Sequence, residues 1–195
     1  MNNIILRYDI HYKNIVKLVE YRKYDSMSQI DEDGFKKQLY ENNYVEVKCN
    51  NSKDNTELII FIFLDVDSIQ KKSAFESFMK KKINKGNDFL FIVPKILNQH
   101  ANFAVLYEGV KIVFTEYNVV TFDVPNHKLV PKFEKISIEH FNKQFDKYKC
   151  NINFMARILL SDPMVIWCGA KKGDIIKITN GSENTGLSIT YKIVV

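Results

Sequence analysis

Glycine, proline and cysteine are scarce in this chain, at seven, four and three residues. The glycines form neither a G-x-x-x-x-G-K-[ST] loop nor a G-x-G-x-x-G turn, so the usual backbone cradle for nucleotide phosphates is missing. Cys49, Cys150 and Cys168 are odd in number and include no C-x-x-C pair. That spacing excludes a zinc ribbon, argues against a disulfide framework and leads us to expect reduced, mostly buried thiols. Histidines 11, 100, 127 and 140 make no H-E-x-x-H and no pair at helical spacing, so no metal or cofactor is expected. No G-x-S-x-G elbow occurs. Ser77 and Lys80 form an S-x-x-K string, but inside a predicted helix among apolar positions, and it is read as packing. The longest apolar run, Leu58 to Leu64, is seven residues, against the roughly 20 that span a bilayer. The first ten residues lack a basic n-region, so no signal peptide is expected. These absences predict a soluble, intracellular chain without an active site.

Arginine is scarce too, with Arg7, Arg22 and Arg157 alone among 28 basic residues. Lysine, asparagine and isoleucine, whose codons are AT-rich, are over-used, so the bias is read as genome composition. It argues against close bidentate reading of bases or phosphates, which favours arginine. The net charge of +5 is unevenly placed: from His127 onward there are 11 basic and 6 acidic residues, and before it 17 of each. A weakly basic segment tolerates a polyanion nearby without requiring one.

What the chain does contain suits a globular protein: 195 residues, 46% hydrophobic and 26% charged. At that length roughly 70% of the unfolded chain's surface can be buried. Apolar spacing predicts a helix over 14–24, then a second opened by Asp31, with Phe35, Leu39 and Tyr40 on one side. A strand follows over Tyr44–Lys48, then a polar turn over Asn50–Asn55. Glu57–Leu64 and Asp88–Val93 are continuously apolar, as central strands covered on both faces would be. Between them a single helix is predicted over Ser68–Asn84, with Phe75, Phe78, Met79 and Ile83 inward. A short helix to about Leu106 and strands over Lys111–Phe114 and Val119–Val124 close this half. Pro125 and Asn126 mark a break. Beyond it, Ser137 caps a helix carrying Ile138, Phe141, Phe145 and Tyr148, and Asp162-Pro163 starts another. Alternation over Asp174–Thr179 and Leu187–Val195, around the turn-rich Asn180–Gly186, predicts a terminal β-hairpin. Leu187, Ile189, Tyr191 and Ile193 share one of its faces. The fold class is therefore α+β: an α/β domain over 1–126, and a small α+β domain over 127–195 ending in the hairpin.

The second domain resembles the assembly domain of the shared fifth subunit of eukaryotic nuclear RNA polymerases, and the same domain makes up the archaeal counterpart of that subunit. His127-Lys128-Leu129-Val130-Pro131 matches that family's H-x-L-V-P. Arg157-Ile158, Asp162-Pro163 and Gly169 follow in order. Gly173-Asp174-Ile175-Ile176-Lys177-Ile178 matches G-x-V-V-K-I. Ser182-Glu183, Gly186 and Thr190-Tyr191-Lys192-Ile193-Val194 match S-E-T-A-G and T-Y-R-L-V without a gap. Residues 1–126 are similar to the family's jaw domain in outline only. Val93-Pro94-Lys95-Ile96-Leu97-Asn98 stands where the family has a Thr-Pro-Ser-Ala turn near downstream DNA. Ala156, Asn180-Gly181 and Asn184-Thr185 also depart from the usual residues, which points to a divergent polymerase, of a large DNA virus or an AT-rich protist.

The resemblance implies a non-catalytic subunit of a DNA-dependent RNA polymerase, docking on the largest subunit through its second domain and placing a jaw near downstream DNA. Interface candidates are Asp162, Pro163, Trp167, Lys177, Ser182, Glu183, Gly186 and Tyr191. Helix capping alone would also account for Asp162-Pro163, backbone geometry for the glycines, and core packing for Trp167. Lys95, Lys71 and Lys72 are the DNA-proximal candidates, with weak, non-specific duplex contact expected; the 71–85 lysines equally suit a solvated helix face. No membrane association and no homo-oligomer are expected. The location would be the nucleus if the polymerase is cellular, and the virion or a cytoplasmic viral factory if viral. Two alternatives belong to other classes. One is a metal-dependent nuclease using Glu46 and Lys48, an E-x-K string, with Asp31 or Asp33. The other is a free-standing DNA-binding module, which would show a steep salt dependence.

Overall fold

The computed structural model describes residues 8–28, 31–52, 56–65, 67–82, 87–98, 100, 107, 110–145, 154–182 and 186–195. It divides into two compact units, Met1–Phe122 and Asp123–Val195. The division falls before Pro125 because Val124–Asn126 forms a 3-10 turn within the second unit.

In the first unit, α1 (Tyr8–Tyr21) begins earlier than its apolar spacing predicts and buries Ile15, Leu18 and Val19. It ends at Lys23, a non-glycine residue in the left-handed region (φ 62°), and the Tyr24 N–H donates to the Val19 carbonyl at 3.2 Å. Strand β1 is Ser26–Met27. Helix α2 (Glu32–Asn42) is capped by Asp31, whose Oδ1 accepts from the Gly34 N–H at 2.8 Å. Its Phe35 and Leu39 are buried, but Tyr40 is 65% exposed and is not on the inner side, contrary to the spacing argument.

Strands β2 (Tyr44–Asn51), β3 (Thr56–Phe63), β4 (Asn87–Val93) and β5 (Lys111–Glu116) join β1 in one sheet of order β1-β2-β3-β4-β5. Pairing is antiparallel from β1 to β3 and parallel from β3 to β5. Both central strands are buried along nearly their whole length, which is why they read as unbroken apolar runs. On one face Phe61, Phe63, Phe89 and Phe91 pack with Phe75 and Met79. Phe61 and Phe91 stack with ring centroids 5.3 Å apart, and Phe91 and Phe114 at 4.8 Å.

The helix predicted over Ser68–Asn84 is in fact two: α3 (Asp67–Gln70) and α4 (Lys72–Lys80). Lys71 between them is extended (φ −84°, ψ 140°), and each helix buries its own apolar residues, Ile69 in α3 and Phe75 and Met79 in α4. Ile83 and Lys85 lie outside the described residues, as does most of the helix expected up to Leu106.

Val119–Val124 is not a strand. Asn118–Thr121 forms one helical turn, α5, with Val119 and Val120 buried. Tertiary contacts override β-branched propensity here. The turn packs on α1, the Asn14 amide donates to the Val120 carbonyl at 2.9 Å, and the Tyr117 hydroxyl donates to the Phe63 carbonyl.

The second unit contains β6 (Lys132–Ile136), α6 (Ile138–Phe145), β7 (Ala156–Ile158), α7 (Pro163–Cys168), β8 (Ile175–Ser182) and β9 (Gly186–Val194). Its four strands form a sheet of order β6-β8-β9-β7. Periodicity does not predict β6, because Lys132-Phe133-Glu134-Lys135-Ile136 is charged at three of five positions. The register sets Phe133, Ile176, Ile178 and Val194 on one face, over Val165 of α7. The opposite face carries Glu134, Lys177, Tyr191, Ile189 and Leu187. On it Phe141 of α6 meets Tyr191 edge-on at 5.6 Å.

Candidate functional site

The sequence points to the terminal hairpin and to α7. Asp162 has the extended backbone of an N-cap (φ −61°, ψ 131°). Its Oδ1 accepts from the N–H groups of Met164 at 2.8 Å and Val165 at 3.4 Å. Pro163 sits at the first helical position, where its missing donor costs nothing. Gly169 closes the helix in the left-handed region (φ 64°), a conformation glycine adopts without a Cβ clash. Asp162 and Pro163 thus have a complete local function in starting α7. Trp167 is fully buried. It is a core residue of the second unit, and the idea that it anchors a subunit interface is corrected accordingly: a partner cannot reach a side chain without exposed surface.

Lys177, at mid-strand in β8, lies on the α6 face of the sheet. The Glu134 carboxylate bridges two ammonium groups there, Lys132 Nζ at 2.7 Å and Lys177 Nζ at 3.7 Å. Its hydrogen bond with Lys132, more than the attraction of the two charges, holds the Glu134 carboxyl below the ordinary glutamate range. Tyr191 sits directly opposite Lys177 on β9. Ser182 ends β8 and Gly186 begins β9, paired to each other, and Gly186 has φ 73°. Glu183 lies outside the described residues. The register therefore gathers Lys177, Ser182, Gly186 and Tyr191 on one hairpin and leaves Asp162, Pro163 and Trp167 on α7.

Periodicity alone left one feature unmarked. An alternating stripe normally signals a covered face, yet Leu187 is 73% and Ile189 is 49% exposed. The described large hydrophobics that are exposed number ten, and seven belong to the second unit: Leu129, Ile138, Phe154, Leu159, Leu187, Ile189 and Val195. Among the described residues the smaller unit thus holds most of the exposed large hydrophobic side chains, and such exposure marks protein interaction surfaces when it is contiguous.

In the first unit, Lys95 is exposed on the loop after β4. Lys71 is exposed at the α3–α4 junction, and Lys72 pairs with Glu76 at 3.8 Å. These lysines are placed by loop and helix ends of the first unit. Glu46 and Lys48 do share a face of β2. They line a polar groove of about 450 Å³ with Ser28, Gln38, Asn42, Tyr44 and Lys82. The nuclease alternative finds no support there. The Glu46 carboxylate is bound by Lys82 and lies 3.5 Å from Lys48 Nζ, while Asp31 is spent on capping α2. Among the described residues no three His, Cys, Asp or Glu side chains gather in a metal-binding group. Cys49, buried in β2, has its thiol pushed up to about 12 by burial, and a protonated thiol is a poor nucleophile.

Comparison with known proteins places its match in the second unit, which contains the hairpin, and not in the first, which contains the groove. Residues 122–194 match the family model described as RNA polymerase Rpb5, C-terminal domain. The chain is similar to the DNA-directed RNA polymerase subunit Rpo5 of Methanococcus vannielii, 39% identical over 72 residues, which cover 37% of this chain and 92% of the relative. The Rpo5 of Sulfolobus acidocaldarius is 42% identical over 73 residues, covering 37% of this chain and 87% of the relative. The Rpo5 of Thermococcus onnurineus is 36% identical over 74 residues, covering 38% and 90%.

Proposed function

Since the chain belongs to the Rpb5/Rpo5 family of DNA-directed RNA polymerase subunits, we infer that it is a non-catalytic subunit of such a polymerase and that its second unit is the part that assembles. One observation carries this reading. The archaeal relatives are matched over roughly nine-tenths of their length by little more than a third of this chain. Those relatives are named polymerase subunits although they consist almost wholly of the counterpart of the second unit, so that unit holds what assembly requires. Its concentration of exposed apolar side chains supports the same reading.

In finer detail, the second unit docks on the largest subunit through the hairpin that carries Lys177, Ser182, Glu183, Gly186 and Tyr191. The first unit, which lies almost entirely outside the family match, serves as a jaw close to downstream duplex DNA. Contact there is weak and non-specific, from Lys71, Lys72 and Lys95. The mechanism is architectural: the subunit places a near-neutral body, with a few exposed lysines, beside the duplex and leaves the chemistry to its partners.

The test is affinity purification of the tagged chain from its native source, with mass spectrometry of the accompanying proteins. Stoichiometric recovery of the two largest polymerase subunits is expected, and Ser182→Ala with Glu183→Ala should weaken it while the isolated chain still folds. Recovery of the chain alone from an extract with intact polymerase would overturn the reading.

A further inference from the structure

The backbone of β9 has more to offer than its side chains. Val194 bonds toward β8, donating to the Asp174 carbonyl and accepting from the Gly173 N–H, both at 2.9 Å. Val195 bonds toward β7, donating to the Ile158 carbonyl at 2.9 Å and accepting from the Leu160 N–H at 3.0 Å. Strand geometry repeats every two residues, and the β8–β9 register runs without a slip from Ile175↔Ile193 to Ser182↔Gly186. The even-numbered residues of β9 therefore bond to β8, and the odd-numbered ones face the other way. Strand β7 answers only the end of that second edge, at Lys192, Ile193 and Val194. Among the described residues no strand pairs with the edge presented by Leu187 and Ile189.

Edges left open in native proteins are commonly blunted with charge or proline. The β6 edge of this sheet follows that rule, with Lys132, Glu134 and Lys135. The part of β9 whose second edge no described strand pairs, Leu187-Ser188-Ile189-Thr190, has neither charge nor proline. Its outward N–H and C=O groups belong to the two residues whose apolar side chains are exposed. Backbone donors, backbone acceptors and apolar side chains thus coincide, which is the arrangement that receives an added strand.

We propose that β9 is completed in the assembled polymerase by an extended segment of another polymerase subunit, which pairs with Leu187 and Ile189 and sets alternate apolar side chains against theirs. This deepens, and rests on, the reading of the second unit as the assembling part. A polymerase polypeptide is favoured over a second copy of this chain because the edge is continuous with the hairpin residues already assigned to assembly.

Ile189→Pro separates the backbone contribution from the side chain. It deletes one outward N–H and sets a ring in the path of the incoming strand, while Ser188 and Thr190 keep the bonds to β8. Ile189→Ala removes the side chain and keeps the N–H. The full chain, wild type or variant, is co-expressed with the other subunits of its own polymerase, and incorporation is measured. Trp167 fluorescence checks that the second unit is folded. Ile189→Pro should lower affinity by about tenfold or more, and Ile189→Ala by clearly less. Equal losses from both, or full incorporation of folded Ile189→Pro, would overturn strand addition. So would a homodimer of the free chain that Ile189→Pro dissociates.

Should Ile189→Pro not fold, hydrogen exchange of the wild type decides. The Leu187 and Ile189 amides should exchange fast in the free chain and become protected in the polymerase. Unprotected amides in an assembled wild type would sink the strand proposal alone, whereas a wild type that never enters the polymerase would sink the functional reading with it.

Discussion

Asp162 allows a sharp test of whether α7 is built by its cap or held by a partner. Its Oδ1 accepts two backbone N–H groups, the nearer at 2.8 Å. Asp162→Ala leaves both donors unmatched at the start of a six-residue helix that buries Met164, Val165, Ile166 and Trp167. Loss of such a cap costs about 1 kcal/mol, within a range of roughly 0.5–2. Asp162→Asn keeps an acceptor oxygen and should cost only a few tenths. The assay is urea unfolding of the intact chain followed by tryptophan fluorescence. Trp167 is the single tryptophan and is fully buried in the second unit, so the signal reports on that unit. With a slope of about 1–2 kcal/mol per molar urea, Asp162→Ala should lower the midpoint by roughly 0.5–1 M. An unchanged midpoint for Asp162→Ala would refute the capping argument. A folded Asp162→Asn that fails to enter the polymerase would show that the carboxylate also serves a partner.

Three further outcomes are expected. Buried Cys49, with its thiol pushed up to about 12, should resist alkylation at pH 8 in the native chain while half-buried Cys168 reacts, as peptide mass mapping would read; equal labelling would contradict the packing of β2. Lys23→Gly should stabilise the first unit by about 0.5–1 kcal/mol, because the left-handed φ of 62° costs a side-chain-bearing residue about 1–2 kcal/mol and glycine gives back part of that as extra unfolded-chain entropy; thermal unfolding by circular dichroism would detect it. Glu134 has its carboxyl held below the ordinary range in the folded state, so its contribution is present above the unfolded pKa and is lost as pH falls through the folded one. Unfolding midpoints of wild type and Glu134→Gln should differ at pH 7 and converge in acid, and the gap should stay below about 1 kcal/mol because the pair is exposed to solvent.

Local signals are legible where one residue decides a local geometry. Asp31 and Asp162 cap the helices they are expected to cap, and the apolar runs around Ile60 and Phe91 are buried central strands. Signals fail where partners decide. Val119 and Val120 have strand propensity, but burial against α1 and the Asn14–Val120 hydrogen bond make them one helical turn. Lys71 divides a stretch that periodicity treats as a single helix. Strand β6 is hidden from periodicity because its charges face β8 residues known only from the register, as with Glu134 opposite Lys177.

The amino-acid order by itself determined the family of the second unit and the position of its hairpin, since both rest on residues close together along the chain. It also determined that Leu187, Ile189, Tyr191 and Ile193 share a face, because strand side chains alternate with a period of two. Only the tertiary structure decided which part of that stripe is covered. Phe141 of α6 reaches Tyr191, β7 reaches no further than Lys192, and Leu187 and Ile189 stand beyond both. Burial depends on elements brought in from other parts of the chain, and periodicity within one strand carries no information about how far they extend.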